Sequence, residues 1–280
     1  MIDFTKMHGN GNDFILINEF ETKKVVEENK SEFAKKYCDR KFGIGADGVL
    51  FLQPSREYDF KMRIFNSDGT EANMCGNGIR CIAKFALDQE ITQKSKLAIE
   101  TNSGPLNVET RENKKFWAKV NMGKPQFKRN KIPAKGEGTF LEQKIDQYSV
   151  SAVNTGVPHA VIFRKNINNL DIEKEAPKIR YNEKFPEGAN VNYVKVLNEN
   201  KIKVRTYERG IESETLSCGT GSVASAAISK KLDKTKGNTI NVITKGGKLN
   251  IIFKNQEAYM EGPAKTVFKG KTSKQFSIVE

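Results

Sequence analysis

Two short stretches hold the residues best suited to chemistry: "MCGNGIRC" around Cys75 and "SCGTGSVAS" around Cys218. In each a thiol is followed by Gly-x-Gly, and a run with helical spacing comes next. That run places Ile79, Ile82, Ala83 and Ala86 in one case, and Val223, Ala224, Ala226 and Ala227 in the other. A thiol at a helix start faces the positive end of the macrodipole, which favours the thiolate. Glycines beside it let a ligand approach the backbone. The main-chain N–H groups of Gly76, Asn77, Gly219 and Thr220 are therefore candidate donors to a carboxylate. Two acid–base groups on opposite faces of one carbon can remove a proton from one side and return it to the other. Such a pair inverts a stereocentre without a cofactor, provided one sulfur starts as thiolate and the other as thiol. Donors that bind the developing enediolate more tightly than the carboxylate lower the barrier.

A single buried cysteine is more often a small hydrophobe than a catalyst, and Cys38 and Cys81 are read that way. What sets Cys75 and Cys218 apart is repetition. "MRIFN" at Met62 recurs as "VRTYE" at Val204, "GAD" at Gly45 as "GAN" at Gly188, and "GNDF" at Gly11 loosely as "GVPH" at Gly156. The matches keep their order and nearly their register half a chain apart, which points to duplication and two similar lobes. His159 in "GVPH" and Glu208 in "YERG" fall in these repeated neighbourhoods, and are candidates to orient or deprotonate the thiols.

The elements that must position these groups are mostly strands. Runs at FILIN, VLFLQ, FKMRIF, KFWAKVNM, SVSAVNT, HAVIF, VNYVKV, IKVRTY, NVITK and LNIIF alternate or are β-branched, with Gly, Asn and Asp turns between many of them. Helical patterns cover Val25 to Tyr37, Gly78 to Asp88 and Gly221 to Lys231. The expected fold is α/β in the α+β sense. Two pseudo-symmetric lobes each wrap a curved, mostly antiparallel sheet around a central helix. The lobes are placed at 1–118 and 119–265, with 266–280 returning to pair with the first. "GIGADG" at Gly43 fits the dinucleotide-binding pattern G-x-G-x-x-G, but a strand follows it rather than a helix, which argues against that use.

Composition narrows the classes further. The net charge of +13 raises nucleic acid as a partner, but the basic residues are mainly Lys, spread singly and diluted by Glu and Asp, which describes a solvated surface. Four scattered cysteines and two histidines without C-x-x-C support neither a disulfide framework nor a structural zinc site. A thiol redox protein is the remaining competitor on the same cysteines. No apolar run reaches the roughly 18 residues of a membrane span, and the N-terminus lacks signal-peptide features, so a cytoplasmic location is expected. Monomer and homodimer are both left open.

As a set, "KMHGNGNDFILIN", "GIGADG", "FNSDGTEANMCGNGIRC", "GVPH", "GANVNY" and "YERGIESETLSCGTG" resemble the diaminopimelate epimerases of bacterial lysine and cell-wall synthesis, over essentially the whole chain. The resemblance implies a cofactor-independent epimerase that interconverts LL- and meso-diaminopimelate at a site between two similar lobes. It implies Cys75 and Cys218 as the catalytic bases, supported by His159 and Glu208. Asn12, Asn66, Asn190, Glu208 and Arg209 would contact substrate, and Gly76, Asn77, Gly219 and Thr220 would cradle the reacting carboxylate. Amide and guanidinium donors suit the second, distal carboxylate of such a substrate. Val157 stands where many members carry Asn, and Gly48 where some carry Gln. The stretch Ile211 to Ser217 is one residue longer than in many members. A racemase of another amino acid, such as histidine or a lanthionine-type substrate, is the alternative on the same scaffold.

Overall fold

The structure, a computed structural model, describes residues 1–272 of the chain. It divides into two units, Met1–Val120 with the chain from Gly262, and Asn121–Glu261.

The first unit begins with β1 (Asp3–Gly9) and β2 (Asn12–Asn18), followed by α1 (Lys30–Cys38), β3 (Gly48–Gln53), β4 (Phe60–Asn66) and β5 (Glu71–Ala72). It continues with α2 (Gly76–Asp88), β6 (Lys96–Glu100), β7 (Leu106–Asn113) and β8 (Lys115–Asn121). Strand β2 is central, antiparallel to β1 and parallel to β3. Its apolar run is buried over Phe14–Ile17 because helices cover it: Ile15 and Ile17 share a core cluster with Phe33 and Ala34 of α1, and α2 packs against the strand. Parallel neighbours need a crossover. Helix α1 supplies it between β2 and β3, and α2 between β4 and β6.

The second unit repeats this plan. After β9 (Gln143–Ile145) come β10 (Tyr148–Asn154), β11 (Pro158–Phe163), the short α3 (Ile172–Glu175) and α4 (Pro177–Arg180), β12 (Asn190–Asn198), β13 (Lys201–Glu208) and β14 (Ser213–Thr215). Then follow α5 (Gly219–Lys231), β15 (Thr239–Thr244), β16 (Gly247–Lys254) and β17 (Glu257–Pro263). Strands β11 and β12 are parallel, as are β13 and β15, with α5 crossing between the latter pair. The other pairings β10–β11, β12–β13, β13–β14, β15–β16 and β16–β17 are antiparallel, matching those of the first unit one for one. Finally β18 (Lys265–Lys271) lies antiparallel on β1, completing the first unit. The rest of the returning segment expected from the sequence, residues 273–280, lies outside the described residues.

All ten strand runs read from the sequence lie on strands, and β18 lies in the expected returning segment, while β1, β5, β6, β7, β9, β14 and β17 escaped that reading. Three boundaries differ instructively. The helix placed at Val25 to Tyr37 begins at Lys30, after a 3-10 turn at Glu27–Asn29. The helices placed from Gly78 and Gly221 begin two residues earlier, at Gly76 and Gly219. Glycine lowers helix propensity, so the pattern fades there; the start is set instead by the cap immediately before it. The strand ladder also shifts one repeat. Gly48 faces Asn66 and Val191 faces Tyr207, so Asn190 corresponds to Gly48 and not to Asp47.

Both central helices are buried along most of their length. Helix α2 packs on β1, β2, β3, β4 and β7, and α5 on β10–β13, β15 and β16. Among the described residues no helix is long and apolar enough to cross a membrane.

Candidate active site

Cys75 and Cys218 are the N-caps of α2 and α5. Each has extended backbone, and its Sγ accepts the N–H of the third helical residue, Gly78 in one and Gly221 in the other, at 3.4 Å. The sulfur thus does what a Ser or Thr oxygen does at most helix starts. The N–H groups of Gly76 and Asn77, and of Gly219 and Thr220, precede the first residues with an acceptor inside the helix, where an anion is favoured.

Around Cys75 the side chains form a directed chain. Arg80, fully buried, donates to Asn77 Oδ1 at 2.9 Å. Asn77 Nδ2 donates to Asn12 Oδ1 at 3.1 Å, and Asn12 Nδ2 to Asp47 Oδ2 at 2.7 Å. A guanidinium can only donate and a carboxylate only accept. The charges at the two ends therefore forbid either amide from turning over. Asn12 must present its carbonyl oxygen to Cys75, whose thiol donates to it at 3.6 Å. Arg80 also reaches the carbonyls of Gly76 and Pro263 and Asn10 Oδ1, and burial lowers its pKa to about 10. Below Asn12, Asp13 is partly buried, yet hydrogen bonds from Arg40 and Lys6 outweigh that and hold its carboxyl at about 2. Asn66 stands apart from this chain, donating to Thr70 Oγ1 across the β4–β5 turn.

The surroundings of Cys218 are built differently. Thr220 Oγ1 lies 3.4 Å from its Sγ, and Thr155 Oγ1 donates to the Thr220 carbonyl, tying the β10–β11 turn to the start of α5. His159, at the start of β11, is fully buried beside Asn190 in the parallel ladder. Burial first, and the Arg209 charge second, lower its pKa to about 3, so the ring is neutral. Asn190 Nδ2 donates to the Pro158 carbonyl, and its Oδ1 accepts the Arg209 N–H. The Arg209 guanidinium is held over the Glu187 and Gly188 carbonyls, and Glu208 accepts a bond from Thr215 Oγ1.

The structure thus joins Cys75, Asn12 and Asn77 by direct bonds, and links Asn190 to the Arg209 backbone. It places Asn66 and Glu208 at the ends of the corresponding strands β4 and β13, each within its own unit. Arg80, Asp47, Asn192, Thr206 and Thr155 were missed by the sequence reading, because nothing in the spacing of a buried polar residue separates it from a solvated one. The other two thiols behave as small hydrophobes: burial pushes both Cys38 and Cys81 up to about 12. Gly48 has a local reason to lack a side chain, since a Cβ there would lie 2.7 Å from the Phe65 carbonyl oxygen. Among the described residues no group of three His, Cys, Asp or Glu side chains is placed to hold a metal ion.

The fold defines a class first. The chain is similar to a PhzF-family phenazine biosynthesis protein from Bacillus anthracis, with a TM-score of 0.69 at 17% identity over 97% of this chain and 99% of that one. It is also similar to a probable proline racemase from Agrobacterium radiobacter K84, with a TM-score of 0.67 at 14% identity over 98% and 93%. Sequence comparison narrows this. The family model for diaminopimelate epimerase matches residues 4–128 and 151–267. The chain is 56% identical to the diaminopimelate epimerase of Methanocella arvoryzae over 280 residues, 99% of each chain. It is 53% identical to that of Methanothrix thermoacetophila, over 97% and 96%. The chain belongs to the diaminopimelate epimerase family.

Proposed function

We propose that this protein interconverts LL- and meso-diaminopimelate by moving a proton at Cα without a cofactor, within lysine and cell-wall synthesis. The observation that carries the reading is the pair of cysteine N-caps, at corresponding positions of two units with the same strand order, in a chain of this family. One thiolate removes the Cα proton, the other thiol delivers a proton to the opposite face, and the roles exchange with direction. The N–H groups of Gly76, Asn77, Gly219 and Thr220 are assigned to the substrate carboxylate, whose charge grows as the enediolate forms. Asn12, Asn66, Asn190 and Arg209 are assigned to the distal amino acid end, with His159 and Glu208 supporting the thiols.

In D2O, LL-diaminopimelate incubated with the enzyme should gain deuterium at Cα while meso isomer accumulates; no deuterium at Cα would sink the reading. Cys75→Ala and Cys218→Ala should each lower turnover by about a thousandfold or more, and full turnover in either would refute the two-base scheme. In a panel with lanthionine and histidine, diaminopimelate should give the highest kcat/KM. A preference for another member would transfer the assignment to a sister substrate and implicate Val157.

A further inference from the structure

Asn192 of β12 is held at three points. Its Nδ2 donates to the Ala160 carbonyl at 3.0 Å, and its Oδ1 accepts from Thr206 Oγ1 at 2.9 Å. A carbonyl can only accept, so the amide cannot be turned over. The second N–H of the amide therefore points at His159 Nδ1, 3.1 Å away. A donor at that place requires a lone pair on Nδ1, and the proton of the neutral ring lies on Nε2. His159 Nε2 is buried and has no hydrogen-bond partner among the described residues. A buried N–H left in this way calls for an explanation, and a ligand atom that completes it is the natural one.

The first unit supplies the control. The ladders equate His159 with Phe14, Asn192 with Leu50 and Thr206 with Ile64. The same architecture is thus filled there by three buried apolar side chains. The fold does not need a histidine, an amide and a hydroxyl at these places. Asn192 fills the space left by the glycine that both units carry at this helix position: a Cβ on Gly221 would lie 2.4 Å from Asn192 Oδ1.

We propose that Asn192 is a positioning residue that fixes His159 as a neutral hydrogen-bond donor through Nε2, directed at an acceptor oxygen of the bound amino acid, and so excludes His159 as the base that deprotonates a thiol. The proposal deepens the epimerase reading and rests on it for the identity of the acceptor. With Nδ1 engaged as acceptor and Nε2 already protonated, the ring can take up a proton only by breaking the Asn192 bond, and the Arg209 charge opposes that.

The chain has two histidines, so 15N-histidine labelling gives two ring systems, and His159→Gln assigns them by difference. The His159 ring should show a protonated Nε2 and an unprotonated Nδ1, unchanged from about pH 8 to about pH 5, and its Nε2–H resonance should shift when diaminopimelate is added. Asn192→Asp, which cannot donate, should move the proton to Nδ1 and lower kcat by about a hundredfold, the scale of one lost transition-state donor. Thr206→Val leaves both Nδ2 bonds intact and should keep the Nε2–H tautomer and most of kcat. An Nδ1–H ring in the unaltered enzyme, a His159 that titrates between those pH values, or full activity in Asn192→Asp would overturn the proposal. The tautomer is read without substrate, so inactivity toward diaminopimelate alongside an Nε2–H ring would refute the functional reading and leave the tautomer assignment standing.

Discussion

Cys75 and Cys218 cap helices of equal length through the same Gly-x-Gly, yet the layers beneath the two caps have exchanged character. In the first unit that layer is Phe14, Leu50 and Ile64, and the buried polar group sits inside the helix at Arg80. In the second unit the layer is His159, Asn192 and Thr206, and the helix position corresponding to Arg80 is Val223, in an aliphatic cluster. Beside it the helix buries only the neutral hydroxyls of Ser222, Ser225 and Ser229. Across from the thiols the contrast continues: a carbonyl oxygen held by charged ends faces Cys75, and a hydroxyl faces Cys218. The lesson is that the duplicated fold fixes the sulfur and the backbone around it, while each unit chose separately where to bury its polarity. A two-way proton transfer needs two thiols but not two identical surroundings.

The contrast can be tested in descending order of effect. Arg80→Met should cost about 3 kcal/mol or more, since it removes the buried hydrogen bonds to Asn77, Asn10 and the Gly76 carbonyl at once. A urea midpoint unchanged from wild type would show that the buried charge is dispensable to the fold. Gly221→Ala should cost about 1–3 kcal/mol, because the new methyl meets a pinned amide oxygen. Gly78→Ala should be nearly neutral, because its closest neighbours, at 3.3 Å, include the movable end of Leu50. Equal costs for the two would break the distinction between a pinned layer and a yielding one.

A pH effect separates His159 from Phe14. The unfolded chain binds the ring proton near 6.5, and the folded protein only near 3. Within that interval the unfolded state holds more protons, so stability falls as pH drops, by about 1.4 kcal/mol per unit. Above 6.5 the ring contributes nothing to the slope. Subtracting the profile of His159→Gln from that of the wild type isolates the term, and a flat difference between pH 6 and 4 would contradict the buried neutral ring. The smallest effect belongs to Cys75→Ser and Cys218→Ser. An oxygen caps as sulfur does, so unfolding midpoints should move by no more than about 0.5 kcal/mol, while turnover collapses for want of a thiol. A large loss of stability in either would mean that the sulfur is packed for its size rather than for its lone pairs.

Much of this was legible in advance because the signals were periodic or repeated. The apolar runs announced their strands, and the doubled Cys-Gly-x-Gly announced two corresponding helix starts. What escaped had no period. Strand β1 hides Lys6 and Thr5 in a ladder between β2 and β18, and a buried lysine defeats alternation. Arg80, in "GIRC", reads as a solvent-facing arginine until the helix is seen to be enclosed on nearly every side. Asn192 lies in the noticed motif "GANVNY", but only the ladder shows that it stands where Leu50 stands in the other unit. The one-residue slip between "GAD" and "GAN" has the same root: identical letters were aligned where hydrogen-bonded partners were the better guide.

The return of β18 to β1 sets an order of assembly during synthesis. Strands β9 to β17 leave the ribosome before β18, so the second unit, continuous in sequence, is the first that can be finished. The unit encoded first must wait, with the outer edge of β1 open to any passing strand. Vectorial folding usually favours the N-terminal domain; here the chain inverts that order, and its most exposed moment comes just before the last described strand docks.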